Sequence, residues 1–537
     1  MNGAGVLTGG LVGALLTIAL IAILYLAQQL AGLPFVPFDV FDWLARRLPG
    51  SVVTIGIDAM VAVIRALRLG DISTAAKTAE QILAICGLLL TGIIAGAVLF
   101  GALNRSGGTA GLIPGVVLGG LLGAALVAIS LSSHQPATAG PLARAGWILL
   151  VFLVWGAALG WTYDRLRRAG AAPGVAGAPG AAVERIDRRR FLIRLGGATA
   201  VITIVGAGLG ALIGSRRGRM RGVPWSARNR LPNADSPVEP VQGTRPELTP
   251  VEDHYRIDID TRAPVVDEDE WRLRIGGLVE RPVELTIGEL RSNYEPLHQF
   301  ITLSCISNPI AGDLIGTTRW TGVSLQRILD TVRPAGNATH LRMRSVDGFH
   351  EVVALDAIRA DERIMLTYAW DGLPLPAEHG FPLRIYIPDL YGMKQPKWIE
   401  AIDAIDHDEA GYWVRRGWDP VARMRATAVI DTVGVDMMVI QADQAMRIPI
   451  GGIAHAGARG ISRVEVRVDD GPWRQARLRE PISPTTWVIW RFDWPFQPGE
   501  HTFTVRCFEG DGTPQIEARS PIRPSGATGL HSRDVML

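Results

Sequence analysis

One short stretch decides the fold of this chain: LSCISN at residues 303–308, followed by WTGV at residues 320–323. A β-type run precedes Cys305 and delivers it into a polar loop. The chain has only two other cysteines, Cys86 and Cys507. A single thiol at the end of a strand can be a nucleophile, a metal ligand or an ordinary buried side chain. The function of the protein depends on which of these three roles Cys305 has.

Around this stretch, from about residue 249 to residue 420, short strands alternate with short helices. The candidate strands are residues 271–279, 300–303, 340–343, 351–355 and 381–388. The candidate helices begin near residues 286–290 and 324–332. Short strands interleaved with short helices predict a mixed α+β domain.

From about residue 421 the pattern changes to regular short strands separated by turn signals. These strands are residues 461–468, 473–478, 486–494 and 501–508. The pattern predicts an immunoglobulin-like β-sandwich over residues 421–524, followed by a tail at 525–537. Phe503, Val505 and Cys507 share one face of the last strand, so Cys507 is predicted to be a core residue. With Cys86 in an apolar segment, neither is expected to pair with Cys305, which favours a functional thiol there.

The first 214 residues are rich in Gly, Ala, Leu, Val and Ile, and they raise the mean hydropathy of the chain to +0.20. A membrane span needs roughly 20 consecutive apolar residues. Five segments qualify and predict a helical transmembrane region: residues 6–31, 82–103, 111–132, 146–163 and 195–214. Residues 38–48 and 52–69 are predicted to be interfacial amphipathic helices, because the second contains Asp58, Arg65 and Arg68. Residues 215–248 are predicted to be a linker.

Five spans place the two ends of the chain on opposite sides of a membrane. The connection at residues 164–194 carries eight arginines against three acidic residues, which predicts a cytoplasmic location. Within it, DRRRFL at residues 187–192 follows an Ala/Gly/Pro-rich stretch at 169–182 and resembles a twin-arginine export signal. The alternative is an ordinary positively charged anchor. We therefore expect a multi-pass protein of the cell membrane with residues 215–537 outside the cytoplasm.

Composition excludes several classes of protein. A net charge of +2 gives no support to a nucleic-acid partner. Three cysteines cannot make a disulfide scaffold. Of ten histidines, only His134 lies near a predicted span, and the chain has no Cys-x-x-Cys-His motif. No haem is therefore predicted.

A second group of polar residues suits an anionic ligand. His379 and Arg384 lie five residues apart and bracket a turn into a strand. The basic loop GMKQPKW follows at residues 392–398. Guanidinium and ammonium groups together with loop amides form a phosphate cradle. Each residue alone is more simply explained by solvation or strand capping, but their combination with Cys305 favours a bound anionic cofactor.

Together these motifs resemble the sulfite oxidase family of molybdenum–pterin oxidoreductases, over about residues 243–524. The resemblance implies a molybdenum centre held by a single pterin dithiolene, with the thiolate of Cys305 as the protein ligand. It also implies a set of residues that hold the pterin and its phosphate. These are Asp253, His254, Tyr255, Asn308, His379, Arg384, Gln395, Pro396 and Lys397.

The same resemblance implies oxygen-atom transfer followed by electron transfer to a separate acceptor, either a cytochrome or a membrane protein. Arg256 matches a substrate-facing arginine of the family, and Tyr412 lies near the position of its active-site tyrosine. The C-terminal sandwich is the dimerisation domain of the family, so a homodimer is expected.

One residue departs from the family pattern. Sulfite oxidases carry an arginine five residues after the metal cysteine, where this chain has Ile310. Arg319, Arg415 or Arg416 could supply the missing charge. The substrate is therefore expected to be a small oxyanion or a sulfoxide. An S- or N-oxide reductase on the same scaffold is the second hypothesis. A non-catalytic membrane receptor or assembly protein is the third, although it would predict loss of Cys305.

Overall fold

The computed structural model describes residues 5–67, 70, 72–106, 110–132, 139–170, 188–214, 222–437, 439–440 and 446–537. These residues form two compact units. The helical unit contains the described residues within 1–49, 76–219 and 259–262. The sheet-rich unit contains those within 50–75, 220–258 and 263–537.

Long apolar runs make the N-terminal part of the chain helical. Its helices are α1 (Val6–Ala31), α2 (Val36–Arg47), α3 (Gly50–Leu67), α4 (Ile72–Arg105), α5 (Leu112–Ser132), α6 (Pro141–Gly170) and α7 (Arg188–Gly214). All of these except α2 are long and apolar enough to cross a membrane. The five predicted spans lie on α1, α4, α5, α6 and α7. Because α3 also qualifies, the five-span topology stays a prediction.

Parts of the predicted topology fall outside the described residues. Asp187 of the export-like signal and residues 171–182 of the stretch before it lie outside them, as do residues 215–221 of the linker. The export interpretation therefore stays a prediction from sequence.

Glycines allow α5 and α6 to approach each other closely. A Cβ atom on Gly115 would collide with the carbonyl of Gly156, and one on Gly160 would collide with the carbonyl of Gly111. Small residues at such spacing let helix backbones pack in direct contact, as is common between membrane helices. The glycine content that marked this region in the sequence thus serves helix packing.

The helical unit also holds a short segment from the later part of the chain, residues 259–262. The amide of Thr261 donates to Asp42 of α2 at 2.9 Å. Lys77 and Gln81 of α4 donate to the carbonyls of Asp260 and Thr261 at 3.0 Å and 3.3 Å. Polar side chains of two helices therefore fix this segment.

The first part of the sheet-rich unit confirms the predicted alternation of short strands and short helices. Its strands are β1 (Leu273–Gly277), β2 (Val283–Leu285), β3 (Leu297–Ser304), β4 (Ile315–Ser324), β5 (His340–Ser345), β6 (His350–Ala354), β7 (Met365–Trp370), β8 (Leu373–Pro374), β9 (Arg384–Tyr386) and β10 (Ile399–Ile405). Its helices are α8 (Ile287–Asn293), α9 (Leu325–Val332) and α10 (Leu355–Ala360). The strand predicted at 381–388 is shorter in the structure, where only β9 is extended.

These strands form two sheets. One has the order β2-β1-β10-β5-β6, with β1 and β10 parallel. The other has the order β3-β4-β7-β8, with β9 also paired to β7. Antiparallel pairing of β3 with β4 sets Ser304 opposite Ile315, so Cys305 leaves the sheet at the end of β3. Ile301, Leu303 and Trp320 are buried beneath this end of the sheet.

The C-terminal part is a sandwich of two antiparallel sheets. Its strands are β11 (Thr427–Val433), β12 (Val439–Ile440), β13 (Met446–His455), β14 (Ile461–Val468), β15 (Arg474–Gln475), β16 (Arg477–Leu478), β17 (Val488–Pro495), β18 (Glu500–Glu509) and β19 (His531–Met536). The sheet orders are β11-β13-β17-β16, with β12 on β13, and β15-β14-β18-β19. Trp490 from one sheet and Phe503, Val505 and Cys507 from the other share one core. The predicted core position of Cys507 is confirmed, and the immunoglobulin-like type stays a prediction.

Two predicted boundaries need correction. Residues 525–537 were expected to be a tail, but β19 lies there and pairs with β18 along its length, so the sandwich extends past residue 524. Residues 222–248 were expected to be a linker, and they contain neither helix nor strand. They are nevertheless tied down, because Glu247 pairs with Arg479 of the sandwich at 2.6 Å and Val241 is buried.

Candidate functional site

The loop after β3 holds Cys305 in a fixed position. The amide of Cys305 donates to the carbonyl of Leu314 at 2.9 Å. The side-chain oxygen of Asn308 accepts from the amide of Leu314 at 3.0 Å, which closes the loop. The sulfur lies 3.1 Å from the hydroxyl of Ser307. Burial raises the pKa of the thiol, and the hydrogen bond from Ser307 opposes that effect.

Tyr255 lies next to this thiol. A Cβ atom on Gly392 would come within 2.8 Å of the tyrosine hydroxyl and 3.5 Å of the carbonyl of Ser304, so only glycine allows this approach. Burial, together with the charge of Cys305, raises the pKa of Tyr255. The phenol therefore stays protonated and can donate a hydrogen bond near the sulfur.

A stack of rings and a guanidinium forms the floor of the site. The ring centres of His254 and His379 lie 4.8 Å and 4.7 Å from that of Trp370. Arg384 lies over Trp320 at 4.7 Å and donates to the carbonyl of His379 at 3.0 Å. Burial, aided by Arg384, lowers the pKa of His254 to about 4. Burial also lowers the pKa of His379, so both rings are neutral at pH 7.

Lys397 and Arg256 bring further positive charge to the same place. Both form ion pairs with Asp258, which is buried between them. Lys397 also donates to the carbonyl of Glu378 at 3.0 Å. Burial lowers the pKa of Lys397 to about 8 despite the neighbouring carboxylate. Arg256, Arg384 and Lys397 thus face a single carboxylate, which leaves the cluster cationic.

Several nitrogen atoms of this cluster have no hydrogen-bond partner among the described residues although they are buried. The donors are Arg256 Nη2, Trp320 Nε1, Trp370 Nε1 and Arg384 Nε, and the ring nitrogen Nε2 of His254 lies among them without a partner. A buried donor without a partner costs about 1–3 kcal/mol. Such donors gathered beside a thiol indicate a place for a polar, anionic group that would accept from them.

Other predicted site residues have structural partners. Gln395 donates to the carbonyls of Ile387 and Leu390 at 3.2 Å and 2.8 Å, and the carbonyl of Pro396 accepts from the amide of Ile385 at 3.2 Å. The two residues shape the basic loop rather than face the ring stack. Asp253 lies in a short 3-10 turn and is exposed.

Tyr412 lies apart from the ring stack. Its ring packs against Phe349 and Trp413, and Arg416 lies 3.6 Å above it. Trp418, which the sequence did not single out, instead packs with Ile306 beside Cys305.

A narrow cleft of about 30 Å³ runs between the loop after Cys305 and the sandwich. Ile310 lines it, and the cations on its wall are Arg245 and Arg425. The arginines proposed from the sequence are engaged elsewhere. Arg319 stacks on Trp225, Arg415 donates to Ala410, and Arg416 donates to Tyr412.

Residues far apart in the sequence complete the cleft. The hydroxyl of Tyr391 accepts a hydrogen bond from the amide of Arg425 at 3.1 Å. Burial raises the pKa of Tyr391, and the charge of Cys305 adds to this effect. His455 of β13 is buried, and burial lowers its pKa to about 3. No motif in the sequence marks these residues, because they meet Cys305 only through the packing of the sandwich on the loop.

Comparison with known proteins adds family information to this geometry. The family described as "Oxidoreductase molybdopterin binding domain" matches residues 260–413. A sulfite oxidase of Gallus gallus is 26% identical over 313 residues, which are 48% of this chain and 66% of that protein. A nitrate reductase of Hordeum vulgare is 26% identical over 303 residues, 45% of this chain and 34% of that protein.

The chain is thus similar to molybdopterin-binding oxidoreductases, among them sulfite oxidases and nitrate reductases. It spans between about a third and two thirds of the length of these two relatives. Among solved structures, the sulfane dehydrogenase SoxCD of Paracoccus pantotrophus aligns with a TM-score of 0.47 and 19% identity, covering 60% of this chain and 89% of that chain.

The residues present fit a molybdopterin. The cationic cluster around Arg384 offers unpartnered donors to an anionic cofactor, and the thiol of Cys305 lies beside it. Among the described residues, no group of three His, Cys, Asp or Glu side chains could hold a metal ion by itself. A metal here would need most of its ligands from the cofactor, as a molybdopterin provides.

Proposed function

We propose that this protein is a membrane-anchored molybdenum–pterin oxidoreductase that transfers an oxygen atom to or from a small oxyanion or sulfoxide and exchanges electrons with a separate partner. The observation that supports this most directly is the buried thiol of Cys305 next to a cationic cluster with unpartnered donors. When bound, the cofactor supplies two-electron oxygen-atom transfer.

The protein residues would bind and orient this group. Cys305 is the protein ligand to the metal, since it is a buried thiol that lies beside Tyr255 at the edge of this cluster. Arg384 and His379 hold the anionic part of the pterin, and Lys397 holds its phosphate as a point charge. Tyr255, kept protonated by its raised pKa, donates a hydrogen bond near the thiolate. Arg256 is kept in place by Asp258 and presents its remaining nitrogen to the site.

The cleft suits a small substrate. It adjoins the loop of Cys305 and carries Arg245 and Arg425 on the side of the sandwich. Guanidinium groups recognise oxyanions through paired hydrogen bonds. Arg245 pairs with Asp431 at 3.2 Å and Arg425 donates to the carbonyl of Ser525 at 3.2 Å, each through Nε. We assign to these two arginines, through their other nitrogens, the role of the arginine that Ile310 replaces.

The second candidate is an S- or N-oxide reductase on the same scaffold. The observation that favours it is the apolar part of the cleft, which Ile310, Ala311 and Met424 line. Such a wall gives a neutral sulfoxide a place for its carbon groups. A receptor or assembly protein without catalysis would have no use for the thiol and the unpartnered donors.

Anchoring in a membrane is supported by six helices of sufficient length and apolarity. We place the catalytic part outside the cytoplasm on the arginine count of residues 164–194. The electron partner is then a cytochrome or a membrane protein on that side. A homodimer through the sandwich remains part of the proposal.

The experiment compares two buried cysteines. The full chain is produced in a host that makes molybdopterin, and its activity is assayed with redox dyes on sulfite and on a sulfoxide. The Cys305→Ser variant should lose at least 100-fold in activity. The control variant, Cys507→Ser, alters only the sandwich core and should keep its activity. Full activity in Cys305→Ser would refute the assigned ligand, and the preferred substrate separates the two enzymes.

A further inference from the structure

Helix α3 packs on the sheet-rich unit although it lies among apolar helices in the sequence. A Cβ atom on Gly50, its first residue, would lie 3.2 Å from the side chain of Arg416. Asp58 forms an ion pair with Arg523 at 2.9 Å. Just after the helix, the amide of Ile72 donates to Asp313 at 3.1 Å. The helix is therefore attached to this unit at two points, and the start of α4 is attached at a third.

These points connect to residues beside the candidate site. Arg416 ends the turn that leads into Trp418. Arg523 stacks over Trp418 at 4.9 Å, and Trp418 packs with Ile306 next to Cys305. Asp313 belongs to the loop that Cys305 and Leu314 close. The helix thus contacts the two arginines next to Trp418, and the start of α4 contacts the loop of the thiol.

The opposite side of α3 is apolar and exposed. Val52, Ile55 and Val63 are 48%, 68% and 55% exposed, whereas Ile64 on the inner side is 3% exposed. At 100° per residue the three exposed side chains fall within one arc. Ser51, Asp58 and Arg65 recur every seven residues and form a narrow polar edge between the two sides. The helix therefore has two apolar sides, one packed and one without a partner in the described chain.

We propose that the exposed side of α3 lies in the surface of a lipid bilayer and that α3 does not span it. Residues 68–71 alone separate α3 from α4, a helix of membrane length, and four residues reach at most about 14 Å. This connection keeps α3 at the end of a membrane helix. The inner side is already committed to the sheet-rich unit, so α3 cannot be surrounded by lipid as a span would be. An amphipathic helix with one lipid side and polar flanks lies in the interface.

This placement goes beyond anchoring by the other helices. It sets Arg416 and Arg523, and through Arg523 the ring of Trp418, next to a helix that rests on lipid. The site would then open close to the membrane surface, where a membrane-bound electron partner can reach it. The placement itself does not depend on molybdenum, so it can fail or succeed independently of the proposed reaction.

The test uses the full chain in nanodiscs of phosphatidylcholine and phosphatidylglycerol. In a Cys86→Ser background, where the other two cysteines are buried, single cysteines carry a nitroxide spin label. The labelled positions are Val52, Ile55, Val61, Val63 and Arg65. Collision with oxygen, which concentrates in lipid, is compared with collision with a water-soluble nickel complex.

The proposal predicts that label accessibility follows the helical repeat of α3 and does not change steadily along the helix axis. Labels at Val52, Ile55 and Val63 should collide with oxygen at least threefold more than with nickel, and to a similar depth. The label at Arg65 should collide mainly with nickel, and the label at Val61 with neither. A steady change of depth from Val52 to Val63 would show a span and overturn the proposal. High nickel collision at Val63 would show exposure to water, and protection from both reagents there would show a protein partner; either result also overturns it.

Discussion

Cys305 lies at the end of β3 with Ser307 against its sulfur and Tyr255 beside it. Burial raises the pKa of this thiol, so without a metal it is protonated at pH 7. A bound cation would displace the proton, because metals bind the thiolate. The thiol is thus built to respond to a metal rather than to attack a substrate, since an activated nucleophile needs a lowered pKa or an adjacent base.

Lys397 gives the site a pH dependence. Its pKa is lowered to about 8, so it carries its charge below that pH and loses it as the pH rises. The protonated form favours an anionic ligand, so retention of the cofactor should be full below pH 8 and fall above it. We expect a roughly tenfold faster loss of pterin at pH 9.5 than at pH 7, measured by pterin fluorescence of the released fraction.

The control for that measurement is Lys397→Arg, which keeps its charge throughout this range. It should show little change between pH 7 and pH 9.5. An equal loss of pterin from the arginine variant would mean that another group causes the pH dependence.

Gly316 of β4 tests the fit of the ring stack. A Cβ atom there would lie 2.6 Å from Nδ1 of His254, whose ring is held against Trp370. Gly316→Ala should therefore destabilise this part of the protein by about 1–3 kcal/mol and lower its cofactor content. Thermal unfolding of the full chain in detergent, followed with a molybdenum assay, measures both effects. Gly336→Ala is the matched control, because a Cβ atom at that position meets no atom within 4 Å; equal unfolding temperatures for the two variants would contradict this account.

Among the elements, those with a strong local pattern could be predicted from the sequence. The strand before Cys305 and the helix α8 are of this kind. Thr286 and Glu289 form a capping box that starts α8, and such a cap depends on residues three positions apart. The strand β19 could not be predicted, because its alternation is weak and its pairing with β18 is tertiary.

The segment 222–248 shows the same limit. Its Arg, Pro and Asn content predicted a linker, yet Arg479 of the sandwich pairs with Glu247 and donates to the carbonyls of Asn233 and Val238. Each carbonyl is an ordinary backbone group that carries no signal in the sequence. These hydrogen bonds contribute to stability because Arg479 is buried where it makes them.

Breaking the buried pair between Arg479 and Glu247 should lower the stability of the whole sheet-rich unit, not only the order of residues 222–248. Arg479→Ala leaves Glu247 buried without its partner and should cost about 3–5 kcal/mol. Arg230 forms an exposed pair with Asp235, and Arg230→Ala should cost less than about 1 kcal/mol. Limited proteolysis of the full chain should cleave the Arg479→Ala variant within 222–248 much faster than wild type. Equal cleavage of Arg479→Ala and Arg230→Ala would mean that the buried pair does not hold residues 222–248 in place, which contradicts this prediction.

For the whole molecule, the sequence predicted the division into apolar helices, an α+β part and a β-sandwich. It could not predict which parts meet at the site. Trp418 and His455 reach the neighbourhood of Cys305 from more than 100 residues away, and Arg425 comes from the edge of the sandwich. Contacts of this kind depend on how two domains pack, which no local pattern records.

The proposed topology predicts a sided protein. Sealed right-side-out vesicles treated with protease should lose the sheet-rich unit, because the proposed topology places it outside the cytoplasm. Inside-out vesicles should protect that unit and expose the arginine-rich connection at residues 164–194. The reverse pattern would contradict the assigned orientation, and release of the whole chain by a wash at pH 11 would contradict anchoring.

The central claim is that one molybdenum–pterin group is held with Cys305 as its protein ligand. The most direct test is the molybdenum and pterin content of the purified full chain, made in a host that supplies the cofactor, for wild type, Cys305→Ser and Cys507→Ser. The account predicts about one molybdenum and one pterin per chain in wild type and in Cys507→Ser, and a loss of most of the molybdenum in Cys305→Ser. Wild-type protein without molybdenum, or full molybdenum in Cys305→Ser, would contradict it.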